Sequence, residues 1–337
     1  MQKKSKLWLI PIVLLAMVVL FNGGQQEGGG EAKEMKPITI KLGHVTSSVE
    51  PIHQALEFLA KQVYNRTDGN VNIEIYPNSA LGSGKETYEQ ARAGANVGAT
   101  IDPGYLSDYV PDIGVLNGPY LVETPEQFNK ILETDWYKDI EQQVYDQGLK
   151  ILMLNGYFGP RNVITDKPVR TPADLAGVDI RCPPNVMWLE TFKAIGASPV
   201  SLAWAEVYSG LAQGVVDAAE APLGSIWGAK LHEPKKVISM TGHFKAFVGV
   251  ALGTKYWETL PADVQQILEE EAERAGDKLT ELTLASIEEF KDKFRAEGCT
   301  IIEDVDIKAF QEKTKSVYQA FPEWTPGLYE TIQGFIN

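Results

Sequence analysis

With 337 residues, the chain exceeds what one hydrophobic core usually organises, so two lobes are the expected arrangement. A hydrophobic fraction of 44% beside 23% charged residues is that of an ordinary soluble globular protein. The net charge of -14, with no long basic stretch, disfavours nucleic-acid binding, because phosphate neutralisation needs clustered Lys and Arg.

Met1–Lys6 holds three lysines and residues 7–21 are almost wholly apolar, which is the order of a secretory signal. That run is shorter than the ~20 residues of a spanning helix, and Pro11 interrupts it; an uncleaved N-terminal anchor is the alternative. Residues 22–36, rich in Gly, Gln and Glu, cannot bury a core and read as a flexible tether. No cysteine lies near Asn22 and Gly23, where a lipid anchor would need one, so lipidation is not expected. Cys182 and Cys299 have no metal-site spacing; they are either one disulfide or two buried thiols.

Period-two apolar placement predicts strands at residues 38–45 and 71–76. Helical spacing predicts helices at 51–64, 85–93 and 127–145, with further strands at 94–101 and 149–154. This βαβα rhythm argues for an α/β domain on a largely parallel sheet. A second lobe is expected to begin near Tyr157–Gly159. Its short strands fall at 163–165, 178–181 and 199–202, and its helices at 185–195 and 205–213 stop at Gly196 and Gly214. Residues 244–254 read as a strand returning to the first lobe, so that two crossings form a hinge. Residues 262–297 form one proline-free helical pattern of ~50 Å. A break at Gly276 is the alternative.

Arg181 ends the apolar Val178–Ile180 strand and precedes Cys182-Pro183-Pro184. A guanidinium held there presents paired donors that match a carboxylate. No catalytic pattern accompanies it. Gly82-Ser83-Gly84-Lys85 lacks the first glycine of a phosphate loop and has Glu86 where a Mg²⁺-holding hydroxyl belongs. His232-Glu233 lacks a second histidine at zinc spacing, and no Gly-x-Ser-x-Gly elbow occurs. Catalytic residues and cofactors are therefore not expected.

The ordered motifs TPADLAG, IRCPP, FKAIGASPVSL and EVYSGLAQGVVDAAE, within Arg170–Pro222, give the chain a family resemblance. It resembles the solute-binding proteins of tripartite ATP-independent periplasmic (TRAP) transporters from about Ile38 to the C-terminus. The resemblance implies a two-lobe α/β periplasmic binding fold with a hinge and a long lobe-bridging helix. The lobes are expected at residues 37–158 with 247–286, and at 159–246 with 287–337. It implies a monomer that delivers a small organic acid to a membrane permease driven by an ion gradient. It makes Arg181 the main carboxylate partner and Arg161 a second one. It places Trp204, His44, Asp102 and Tyr105 at the cleft, with Glu86 a weaker candidate; Trp188 and Trp227 could add an apolar wall. Many relatives read Glu-Asn-Pro where this chain has Glu220-Ala221-Pro222, so Ala221 removes a polar contact and favours a bulkier or less polar acid. Glu220 could pair with an arginine or touch a ligand ammonium or hydroxyl. Some relatives bind through calcium, for which Glu220 with Asp102 or Asp217 could serve; the arginine clamp makes metal-free binding the expected mode. A periplasmic sensor and an enzyme on the same fold are the rival readings.

Overall fold

Residues 37–336 are described here from a computed structural model; the expected signal and tether lie outside the described residues. Among the described residues the strands are β1 (Ile38–Gly43), β2 (Val71–Tyr76), β3 (Val97–Ile101), β4 (Leu149–Thr165), β5 (Asp179–Cys182), β6 (Ser198–Ser201), β7 (Ala219–Ala221), β8 (Val237–Gly253) and β9 (Thr300–Ile302). The helices are α1 (Pro51–Arg66), α2 (Gly84–Arg92), α3 (Pro103–Leu106), α4 (Pro125–Leu132), α5 (Asp135–Asp146), α6 (Val186–Ile195), α7 (Val207–Ala212), α8 (Leu223–Gly228), α9 (Thr254–Trp257), α10 (Ala262–Ala296), α11 (Ile307–Thr314) and α12 (Leu328–Ile336).

Local sequence explains most of these. β2 buries Val71 and Ile73 and exposes Asn72 and Glu74, as a half-buried strand must. α1 begins with Pro51 at its first position and buries Ile52, Ala55, Leu56, Leu59 and Val63 on one stripe. The Ser83–Glu86 capping box starts α2. The helix expected over 127–145 is two helices, because the Thr134 side chain accepts a hydrogen bond from the Tyr137 amide and starts α5 afresh.

The main sheet runs β2-β1-β3-β8-β4-β7, with β9 beside β8; β5 and β6 form a separate parallel pair. The expectation of a largely parallel sheet is corrected. β1 is parallel to β2 and β3, and β9 to β8, but β8 is antiparallel to β3 and β4, and β7 to β4. The cause lies in β4 and β8, each of 17 residues, which pair along their whole length. The sequence reading had two strands, 149–154 and 163–165, where β4 is continuous. Register shifts between Met153 and Gly156, Tyr157 and Gly159, and Arg161 and Val163 absorb the Gly and Pro residues that looked like a break. Gly159, with φ +115, holds one of these bulges, and the expected lobe boundary falls inside this strand.

α10 is unbroken over 35 residues and packs on α1, β4, α8 and β9. A core built around the stacked rings of Phe128 and Phe247 extends to Phe192 and Ile332; a second gathers Ile226, Leu231, Phe290 and Phe294. The C-terminal residues, expected in the second lobe, return to the first part of the chain. Trp324 Nε1 donates to the Pro111 carbonyl, Tyr318 Oη to the Pro119 carbonyl, and α12 packs on α4. Cys182 and Cys299 are buried free thiols. Among the described residues no helix is long and apolar enough to cross a membrane.

Candidate functional site

One cavity gathers residues from β3, β4, β5, β8 and the segments that follow β1, β3 and β6. Of the residues expected at a ligand site, Arg181, Arg161, Trp204, Asp102, Tyr105 and Ala221 all line it.

Arg181 sits on β5 between Ile180 and Cys182, both fully buried, and its amide donates to the Ala218 carbonyl at 2.8 Å. Its side chain is 2% exposed. Nε donates to the Leu202 carbonyl at 3.0 Å, and the guanidinium lies 5.4 Å from the centre of the Trp204 ring. No carboxylate pairs with it, and its two terminal nitrogens have no protein acceptor among the described residues. Burial pushes the group down to about 10, Glu220 opposing and Arg161 reinforcing. It is still a cation at neutral pH, and among the described residues no carboxylate is in contact with it.

Arg161 differs. β4 and β7 pair so that Val163 faces Glu220, which sets Arg161 against the Glu220 carboxylate. Nε donates to Oε2 at 2.5 Å and Nη2 to Oε1 at 2.7 Å, and Nη2 also reaches the Glu220 carbonyl at 3.2 Å. Its guanidinium stacks 5.4 Å from the Trp188 ring centre. Burial alone would raise the Glu220 carboxyl, but Arg161 and then His243 outweigh it and hold it at about 2. His243 Nε2 lies 3.2 Å from Oε2 and its Nδ1 2.8 Å from the Thr241 hydroxyl. Burial lowers the His243 pKa, so the imidazole is neutral; the carboxylate can only accept, so Nε2 carries the proton.

Asp102 caps α3, its Oδ1 accepting from the Tyr105 amide at 3.1 Å. Burial raises its carboxyl to about 6, against the backbone hydrogen bond and the Arg161 charge. Burial, then Asp102, raises the Tyr105 phenol to about 12, so its hydroxyl keeps its proton.

Other expectations meet a different geometry. His44 does not line the cavity: its Nδ1 is 2.8 Å from Thr46 Oγ1 and its Nε2 2.9 Å from His53 Nδ1. The strand-end position turns the ring inward, and the next two residues, Val45 and Thr46, reach the cavity. Glu220 is buried behind the wall as the partner of Arg161. Trp227 stacks on His232 at 4.7 Å, and Glu86 closes the capping box of α2. Among the described residues no group of three or more His, Cys, Asp or Glu is placed to hold a metal ion.

Sequence reasoning missed Asn117. Its Nδ2 and the Trp188 Nε1 are buried without a partner, and both residues line the cavity. A lone amide inside the apolar run Ile113–Leu121 was the available signal, since such a group needs a partner. Phe158, Phe247 and Val248, on β4 and β8, supply an apolar wall. The cavity thus combines several donors, an Arg181 guanidinium with no carboxylate in contact and the Asp102 carboxyl with an apolar wall, and suits a small acid that has both polar and apolar portions.

Comparison with known proteins agrees. The family model for bacterial extracellular solute-binding protein, family 7, matches residues 42–323. A TRAP periplasmic solute-binding protein from Ochrobacterium anthropi with bound L-fuconate is 36% identical, with a TM-score of 0.87 over 89% of this chain and 100% of that one. One from Actinobacillus succinogenes with bound L-galactonate is 32% identical, with a TM-score of 0.86 over 88% and 99%. An open ligand-free structure from Escherichia fergusonii, also 32% identical over 88% and 99%, gives 0.77. At equal identity, the conformation described here lies nearer the liganded form. With the family model matching residues 42–323, the chain belongs to the bacterial extracellular solute-binding proteins of family 7.

Proposed function

We propose that this protein captures a small organic acid outside the cytoplasm and delivers it to the permease of a TRAP transporter. The observation that carries the reading is Arg181, a buried guanidinium in the cavity wall with no acidic partner. A buried charge is stable only when paired, so the site is incomplete until an anion arrives. The ligand carboxylate docks on the Arg181 terminal nitrogens, and Arg161, fixed by Glu220, adds its remaining nitrogen. Asp102, Tyr105 and Thr46 approach from the first part of the chain, Arg181 and Trp204 from the second. A site split in this way is complete only when the two sides are together, so binding and closure are coupled. The relatives with bound sugar acids make those acids the first ligands to test, while Ala221 and the Phe158–Phe247 wall favour one with a less polar portion. The acid is bound without chemical change and without a cofactor. Residues 1–21 act as the export signal and 22–36 as a spacer.

Calorimetric titration against aldonates, hydroxy acids and dicarboxylates, each beside its uncharged amide or sugar, tests this. Acids are expected to bind with negative heat-capacity change, their neutral counterparts not at all, and the acid to be recovered unaltered. Binding of neutral sugars in preference to acids would overturn the carboxylate reading, and turnover would overturn the transport reading.

A further inference from the structure

We propose that Thr46 is a specificity-determining acceptor for a ligand hydroxyl, held in that role by the chain His44, His53 and Glu57. The inference rests on the acid-binding reading and adds the part of the ligand beside the carboxylate.

Thr46 lines the cavity yet is buried to 6% exposure. Its Oγ1 is 2.8 Å from His44 Nδ1; His44 Nε2 is 2.9 Å from His53 Nδ1; His53 Nε2 is 3.5 Å from Glu57 Oε1. The direction of every proton follows from the far end. The Glu57 carboxylate, 3.5 Å from His53 Nε2, favours the tautomer that keeps the proton on that nitrogen. That tautomer leaves Nδ1 bare to accept from His44 Nε2–H. His44 in turn has a bare Nδ1, which accepts the Thr46 hydroxyl proton. Burial, and then His53, pushes His44 down to about 4, in keeping with a neutral ring that accepts on one side.

A threonine hydroxyl has one proton and two lone pairs. With the proton committed to His44, Thr46 offers the cavity acceptor capacity alone. The surrounding groups are mostly donors, the Arg181 terminal nitrogens, Trp188 Nε1 and Asn117 Nδ2, with the Asp102 carboxyl, already engaged as the α3 cap, the other acceptor. A carboxylate satisfies donors but leaves Thr46 unmatched. A hydroxyl on the same ligand both accepts from the donors and donates to Thr46. His44 and His53 are positioning residues that act through Thr46.

The test measures affinity at pH 8, where free imidazole is neutral, for matched acids with and without hydroxyls: L-galactonate against hexanoate, erythronate against butanoate, and glycerate against propanoate. Wild type is expected to prefer the hydroxylated member of at least one pair. Thr46→Val should weaken that member by about tenfold, the range of one net hydrogen bond, and leave its partner within twofold. Thr46→Ser should restore the preference, and His53→Leu, which removes the acceptor for His44 Nε2–H, should lower it by roughly threefold. Melting temperatures of the variants without ligand control for folding. Equal losses for both members, or no loss with Thr46→Val, would overturn the role of Thr46 while acid binding stood. Wild-type preference for the unhydroxylated acids would do the same. If no acid of any pair bound, the acid-binding reading itself would fail.

Discussion

Glu220 clasps Arg161 with both carboxylate oxygens, at 2.5 and 2.7 Å, in a fully buried pair that touches the cavity from behind. Two guanidinium groups and the Asp102 carboxyl line that cavity, and Glu220 behind the wall matches one of the guanidinium groups. The pair fixes Arg161 as part of the wall and leaves Arg181 as the guanidinium with no carboxylate in contact among the described residues.

Replacing Glu220 with glutamine keeps the shape but removes the charge, which leaves Arg161 buried and unpaired. The expected loss is about 3–5 kcal/mol of folding stability. The Glu220 carboxyl is held at about 2 against an ordinary 4.5. A carboxylate lowered in the fold contributes its stability fully above about pH 4.5 and loses it as pH falls through about 2. Urea unfolding of wild type and Glu220→Gln should therefore show a gap that is constant from pH 8 to 5 and narrows below 4.5. A gap that stayed constant to pH 3 would mean that the pair is not what Glu220 contributes.

Arg181→Met behaves in the opposite sense. It replaces an unpaired buried cation with an apolar chain of similar length, so the ligand-free protein should hold or gain stability. Binding of the acid should fall by about 2–5 kcal/mol, because a charge-assisted buried contact is lost. Thermal melts with and without ligand separate the two effects: the melting temperature without ligand holds or rises, and the ligand-induced rise disappears. Unchanged affinity would remove Arg181 from the binding site.

Local signals in the sequence were enough for β2, α1, α6 and α10, where periodicity, caps and proline-free runs all agree. Arg181 was assigned to the cleft mostly through the family resemblance of its motif, and it lies in the cavity wall on β5. What the sequence did not carry was long-range pairing. That β4 and β8 run antiparallel through several bulges depends on partners nearly 90 residues apart. The inward turn of the His44 ring depends on His53, and the return of α12 to α4 on residues two hundred positions earlier. Asn117 could be found only through what surrounds its amide in space.

Gly276 shows how packing overrules propensity. An interior glycine should weaken α10 by up to ~1 kcal/mol relative to alanine, yet the helix continues through it. The reason is Asn155 on β4, whose Nδ2 donates to the Glu273 carbonyl and to Asp277 at 3.0 Å each. A methyl group at Gly276 would stand 1.9 Å from Asn155 Oδ1. Gly276→Ala is therefore expected to destabilise by about 1–3 kcal/mol, against its helix propensity, and Asn155→Ala in the same chain should recover most of the loss. A stabilised Gly276→Ala would mean that the helix and strand can separate at no cost.

Glu50 joins α1 to α8 in the opposite electrostatic situation to Glu220. It is fully buried, accepts from the Ser225 hydroxyl at 2.6 Å and from the Ser47 amide at 2.8 Å, and has no cation paired with it among the described residues. Burial raises its carboxyl from 4.5 to about 7, although both hydrogen bonds pull it down. A carboxyl raised in the fold binds its proton more tightly there than in the unfolded chain, so stability falls as pH rises from about 4.5 through 7. The cost is absent below 4.5 and full above 7, where it is on the order of 3 kcal/mol. Glu50→Gln keeps an acceptor for the Ser47 amide and a polar partner for Ser225 without the charge. It should be more stable than wild type at pH 8 and equal to it at pH 4, measured by urea unfolding at both values. Because Asp102 is present in both proteins, its own rise to about 6 cancels in the difference. Ser225 also lines the ligand cavity, so the same substitution should tighten acid binding at pH 8 if the α1–α8 contact forms as the site closes. A stability difference that did not change between pH 4 and pH 8 would show that Glu50 is not buried as a carboxylate.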